Sequence, residues 1–377
     1  MSRHDQHLNT QERESSRQFL VENELEILSN SAILTQCLSL NSVVSISSSF
    51  ARLIQDARSR PELQSINEIG VGLQGAVFEE VGEHLVFKKE KPGNENLPSN
   101  LRNEYQMHSA VSDAFQCYGA TTSCQVRVPR AFEFISRANE NPFWNDVFPR
   151  IPSAYREYGD VMKMERILPL PKVVRKALLA HFYGFEKQLD STKLEPALGN
   201  TKNKHCLNTG AIAQDPISLR NFPLYLKSIN DFVMDVKTLA KEIGKAYAIV
   251  HWAACVSSDD VEFVLGTSIV QKQGSDAEPP GFQHREVGLY LLDFGQCEKV
   301  DLSHEPDVVY QSFKGAMVTG DNRLFIPNCQ STPDLFAEFR SGYCEAGEII
   351  LAKRKLEDRF DIEDFMREYE EYAGDFL

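Results

Sequence analysis

Residues 66–92, INEIGVGLQGAVFEEVGEHLVFKKEKP, constrain the fold more than any other stretch. β-branched and apolar residues alternate there with glycine, a period of two that strands satisfy and helices do not. Gly70-x-Gly72-x-x-Gly75-x-Val77 lies between the strand candidates, so the segment reads as strand, turn, strand. VRVPRAFEFI (126–135) and DVMKMERILPL (160–170) are two further strand candidates, separated by a loop rich in Pro, Asn and aromatic residues.

The rest of the chain changes period. Residues 99–112 place Leu101, Tyr105, His108 and Val111 on one helical face, with Ser99 as the N-cap. Residues 171–189 and 226–252 are the best helices. In the second, Phe232, Val236, Leu239, Ile243, Tyr247 and Val250 recur every three or four residues. Residues 190–224 read as a long connection. VGLYLLDFGQCEKV (287–300) is an apolar strand ending in Asp293-Phe294-Gly295. Residues 333–373 look helical and finish very acidic; Phe360, Asp364 and Arg367 deny the last part a clean apolar stripe, which predicts a solvated capping helix. The order is strands plus one helix, a linking strand, then helices: an α+β layout, strand-rich first and helix-rich second. Its parts are a disordered tail (1–18), a helical extension (19–60), with two short helices over 19–57, a strand-rich unit (61–168) and a helical unit (169–377).

Charge and cysteine content narrow the function classes. With 40 basic and 54 acidic residues the net charge is −14, which disfavours uniform adhesion to nucleic acid or anionic membrane. The eight cysteines contain no C-x-x-C pair, so a zinc ribbon is not expected. No secretory signal or spanning apolar run is seen, and the expectation is a cytoplasmic protein with free thiols. Residues 171–205 depart from the overall balance: seven basic side chains (among them Lys172, Arg175, Lys176, Lys202 and Lys204) stand against three acidic ones. That is a candidate phosphate-contacting segment or an ordinary solvated helix face.

Several side chains resemble a protein kinase site. The glycines Gly70, Gly72 and Gly75 let backbone N–H groups approach phosphate. Lys88 ends the strand LVFK, where a kinase-like fold places a phosphate-pairing lysine, and Glu104 follows on a helix as its ion-pair partner. MKMERI (162–167), with Glu165, resembles a hinge strand, and Asp293 would hold Mg²⁺. The resemblance implies a two-lobed protein-kinase-like fold with a small β-rich N-lobe and a larger helical C-lobe. HWAACVSSDDVEFVLG (251–266) departs from it. Ala253 falls where a kinase carries its catalytic Asp, and Asp259, Asp260 and Glu262 crowd the stretch after it. Three carboxylates so close need a cation, be it Mg²⁺, an ammonium or a guanidinium. If DVEFV is extended, Asp260 and Glu262 share a face. His251 either packs in the core or positions this loop.

LRNFPLYL (219–226), HWAACVSSDDVEFVLG and LYLLDFGQC together resemble a fungal family of kinase-like proteins that includes arginine-containing cyclodipeptide synthases. The resemblance implies an aminoacyl-tRNA-dependent synthase that condenses arginine with a second amino acid into a diketopiperazine. It implies Asp259, Asp260 and Glu262 as the acidic motif. Arginyl-tRNA and a second charged tRNA would be its partners, with no cofactor required. The glycine-rich loop, Lys88, Glu104, Glu165 and Asp293 would take the terminal adenosine. Two other readings stand beside it: an ATP- and Mg²⁺-dependent small-molecule or protein kinase, and a non-catalytic scaffold.

Overall fold

The computed structural model describes residues 17–40, 42–47, 52, 56–57, 59–60, 64–72, 75–91, 100–137, 142–183, 235–271 and 282–376. In chain order its elements are β1 (Gln18–Val21), α1 (Glu22–Leu25), α2 (Asn30–Cys37), β2 (Ser42–Ser47), β3 (Ile66–Val71), β4 (Gly75–Glu80) and β5 (Leu85–Glu90). There follow α3 (Leu101–Tyr118), β6 (Ala131–Ile135), α4 (Pro142–Val147), β7 (Val161–Glu165), α5 (Lys172–Tyr183) and α6 (Val236–Ala248). The chain then runs through β8 (Glu262–Val270), β9 (Phe282–Leu292), α7 (Pro306–Met317), α8 (Asn322–Phe325), α9 (Pro333–Arg354) and α10 (Ile362–Phe376). This is a mixed α+β molecule with a small sheet-based part and a helical part, as expected.

Strands β3-β4-β5-β7-β6 form one antiparallel sheet in that order. Its register explains the alternation in the sequence. Phe78 pairs with Phe87 on one face, where the two rings stack at 5.3 Å beneath Trp144 and Val147 of α4. Val77 pairs with Lys88, and Lys88 with Met162, on the other face. That second face looks toward the helical part. The linker after β7 is tied there by Leu168 N–H to Thr267 O (3.1 Å) and Thr267 N–H to Leu168 O (2.8 Å).

The second sheet, β1-β2-β9-β8, was only half expected. Residues 19–57 do not make two helices alone. They supply short α1 and α2, with β1 and β2 on either side, and β2 pairs with β9. Val43, Val44 and Ile46 are buried there. The expected tail falls on residues outside those described except for its last two: Arg17 Nε donates to Glu286 (2.8 Å), and Gln18 opens β1. The helical part packs α6 on α9 around one large apolar core that also takes in β8, β9, α7 and α10.

Three further expectations change. The single run over 333–373 breaks at Lys355, whose left-handed φ of 56° caps α9. The acidic α10 does have an apolar stripe: Ile362, Phe365, Met366, Tyr369 and Ala373 are buried, so it belongs to the core and is no solvated cap. On α3 the buried face is Leu101, Glu104, Met107, His108 and Val111, with Tyr105 at its border. Ser99, Phe232 and the connection 190–224 lie outside the described residues.

Candidate functional site

Lys88, Glu104 and Asp293 come together from β5, α3 and the end of β9. Lys88 Nζ donates to both Glu104 oxygens (2.6 and 2.8 Å) and stands 3.6 Å from Asp293 Oδ1. Lys88 and Glu104 are buried, whereas the Asp293 side chain is 42% exposed, so the assembly opens outward through Asp293. Burial by itself pushes the Lys88 ammonium toward neutrality. The Glu104 and Asp293 carboxylates outweigh it and raise the pKa, which keeps the charge on Lys88. Losing one partner of such a buried pair leaves the other charge uncompensated, at a cost of about 3–5 kcal/mol.

Asp293 has a left-handed φ of 63°. The segment after it is fastened to α3. Asn100 Nδ2 donates to Gly295 O (2.6 Å), Asn103 Nδ2 donates to Cys297 O (3.0 Å), and fully buried Phe294 meets the His108 ring at 5.1 Å. His108 Nε2 is 2.5 Å from Pro129 O, and burial lowers its pKa to about 4. The two asparagines were not singled out from the sequence. They lie nearly 200 residues from their partners, and an Asn near a helix start reads as a capping residue.

Beside this assembly lies a mostly apolar cleft of about 230 Å³. Ile69, Gly70, Val77 and Val86 form its roof, Met164 to Pro169 its back, and Val264, Leu265 and Leu292 its floor. Glu165, Arg166 and Glu262 supply its charged groups. Of the three motif glycines, only Gly75 is demanded by packing: a Cβ there would lie 2.6 Å from the Lys89 carbonyl of β5. Gly72 N–H closes the turn onto Gly75 O (2.9 Å).

The loop 251–262 differs from its sequence reading. His251 sits in the middle of a wide, π-type turn (Ile249–Ala253) after α6 and is completely buried. Its ring stacks on Phe313 at 4.3 Å, with Nδ1 at 2.8 Å from the Tyr343 hydroxyl and Nε2 at 2.8 Å from Ser258 Oγ. Trp252 Nε1 donates to the same tyrosine oxygen, which leaves the hydroxyl proton for His251 Nδ1 and puts the imidazole proton on Nε2, facing Ser258. Burial lowers the His251 pKa to about 3. His251 therefore lines neither the apolar cleft nor the second cavity below, and it acts on the loop through Ser258. Asn322, also buried, holds Ser258 O (2.8 Å) and Ala316 O (2.7 Å). Ala253 lies at the end of the π-type turn and lines neither cavity described here.

The acidic trio does not form one receptor. Asp260 has a left-handed φ of 55° and β8 starts only at Glu262, so the two carboxylates do not alternate along a strand. Glu262 lines the apolar cleft. Asp259 instead lines a second cavity of about 580 Å³, with Ser257, Glu298, Lys299, Asp301, His304 and Thr319 among its walls. Asp259 Oδ1 accepts from Thr319 Oγ1 (2.7 Å). Asp260 accepts from the Gln296 side-chain amide and from Asp321 N–H (3.0 Å). All three are half-buried. Nothing local in the sequence announces Thr319 or Gln296 as their partners.

Of the basic candidates, Lys172 and Lys176 are exposed on α5, while Arg175 is half-buried. Lys202 and Lys204 lie outside the described residues. Among the described residues no three His, Cys, Asp or Glu side chains are placed to hold a metal ion, and no helix is long and apolar enough to cross a membrane. No protein-family model matches the chain, and no curated protein matches it.

Proposed function

We propose that the chain has a two-lobed kinase-like arrangement and is a nucleotide-dependent transferase, with ATP as the donor. The observation that carries this reading is the Lys88 ammonium, clamped by Glu104 and 3.6 Å from the half-exposed Asp293, at the side of an apolar cleft. A purine enters the cleft and its phosphates meet Lys88 and the glycine-rich turn. Asp293 and Glu262 fit a phosphate-bound Mg²⁺, since that ion takes one or two carboxylates plus phosphate oxygens, and Glu262 is the cross-strand neighbour of Leu292. Bound there, Mg²⁺ would offset phosphate charge. Asp259, rather than Ala253, is suited to take the proton of an acceptor hydroxyl: it sits on the turn feeding β8, oriented by Thr319 and open to the larger cavity.

Calorimetry tests the reading. MgATP binds the wild type, and Lys88→Met weakens it by roughly 10–100-fold, in line with the loss of a charge-assisted phosphate contact. Asp259→Asn keeps binding and lowers transfer by about 10²-fold or more. Absence of any MgATP binding to the wild type would overturn it.

One observation favours the cyclodipeptide synthase as a second reading. Glu262 puts a carboxylate in the cleft. With no Mg²⁺ between them a carboxylate repels polyphosphate, but it suits the ammonium of an aminoacyl ester whose terminal adenosine fills the same space. On this reading arginyl-tRNA and a second charged tRNA yield a cyclic dipeptide without ATP, and Glu262→Gln abolishes it. A product that needs ATP, or no product at all, rules that reading out.

A further inference from the structure

We propose that Asp260 is a clasp, a positioning residue that holds the Asp293–Gln296 loop against the Thr319–Asp321 turn. The proposal stands on contacts within the chain. Only its consequence for ligand affinity rests on the nucleotide reading.

Both oxygens of the Asp260 carboxylate accept an N–H. Oδ2 takes the Gln296 amide, two residues from Phe294, and Oδ1 takes the Asp321 backbone N–H at 3.0 Å. Bonds to an ionised carboxylate are about twice as strong as neutral ones. On its other side the same loop is fastened to α3 by Asn100, Asn103 and His108. Gln296 and Asp260 thus supply the tie that α3 does not.

The turn is built for this contact. Gly320 has φ +55°, and a Cβ there would lie 2.5 Å from Asp260 Oδ1. Only glycine lets the carboxylate come that close. Asp260 (φ 55°) and Asp293 (φ 63°) are both left-handed without being glycine. Such residues cost about 1–3 kcal/mol each and persist only where neighbours over-determine them. The clasp is that determination at Asp260, and through Gln296 it reaches the loop that sets Asp293 opposite Lys88. The adjacent Asp259 is bonded to the same turn through Thr319. Two adjacent carboxylates therefore register this loop on the same turn, with both Asp260 oxygens engaged.

The test exchanges donor and acceptor on the full chain. Gln296 is exposed, so Gln296→Glu leaves the core intact while setting two carboxylates face to face. Hydrogen exchange across residues 293–299 should rise by roughly threefold or more, at an unchanged melting temperature. Adding Asp260→Asn should restore wild-type exchange, because its amide donates to the new carboxylate and its carbonyl still accepts from Asp321. No rise in Gln296→Glu, or no recovery in the double variant, overturns the clasp. In the same samples MgATP affinity should fall about fivefold, the worth of one hydrogen bond, and recover in the double variant. A wild type that binds no MgATP overturns the nucleotide reading, while the exchange result still decides the clasp.

Discussion

Two of the buried histidines, His108 and His251, show how single residues set the response of the molecule to acid. His108 and His251 are held neutral by burial, with pKa values of about 4 and about 3. In the unfolded chain each titrates near 6.5. Above that pH neither state binds the proton and their contribution is fully present. As pH falls below 6.5 the unfolded chain takes up protons that the folded chain refuses, and stability drops until the folded values are reached. The slope approaches about 1.4 kcal/mol per pH unit for each histidine. Urea unfolding between pH 7 and pH 4.5 should show a falling midpoint, and His108→Gln should make the fall shallower by about half. A midpoint flat over that range would contradict the burial of both rings.

At the scale of elements, the helical part depends on how closely α6 and α9 approach. A Cβ on Gly244 would lie 2.0 Å from Phe339 O, and one on Gly342 would lie 2.1 Å from Lys241 O. These are backbone atoms and cannot swing aside. Gly244→Ala must push the helices apart or fail to pack, at a cost of about 1–3 kcal/mol, although alanine favours an isolated helix. Chemical denaturation measures it, and an unchanged or raised midpoint would show that the two helices are not in this contact. The same crossing places Tyr343 of α9 under His251, so a looser pair would also loosen the loop that carries Asp259 and Asp260.

For the whole molecule, the N-terminal segment is structural. Strand β2 lies between β1 and β9, and Val43, Val44, Ile46, Ile33 and Leu34 all join the buried set. Each such side chain contributes about 1.5–3 kcal/mol on burial, and whole domains are stable by only about 5–15 kcal/mol. Removing residues 1–47 should therefore leave no soluble folded monomer, because Phe282–Glu286 of β9 lose their strand partner and the core loses these apolar side chains. A chain beginning at Arg17 keeps every contact described and is the control; size-exclusion chromatography and a melting curve compare the two. A folded, monomeric product of the longer deletion would show that β2 is dispensable.

The short-range patterns were legible in the residues themselves. Period-two alternation marked β3 to β5, and spacings of three or four marked α3 and α6, because each reports which side of one element faces water. The order of Lys88, Glu104 and Asp293 was legible too, since strand, helix and strand end each carried its own signal. The tertiary structure alone decided what the loop 251–262 does. The identity of a carboxylate says nothing about which wall it faces, and the division of Asp259, Asp260 and Glu262 among two cavities and a clasp depends on Gln296, Thr319 and Asp321 arriving from distant elements. The same reason hid β1 and β2. A four- or six-residue strand is stabilised by the sheet it joins: β1 joins through β2, and β2's other partner, β9, begins more than 230 residues further along the chain.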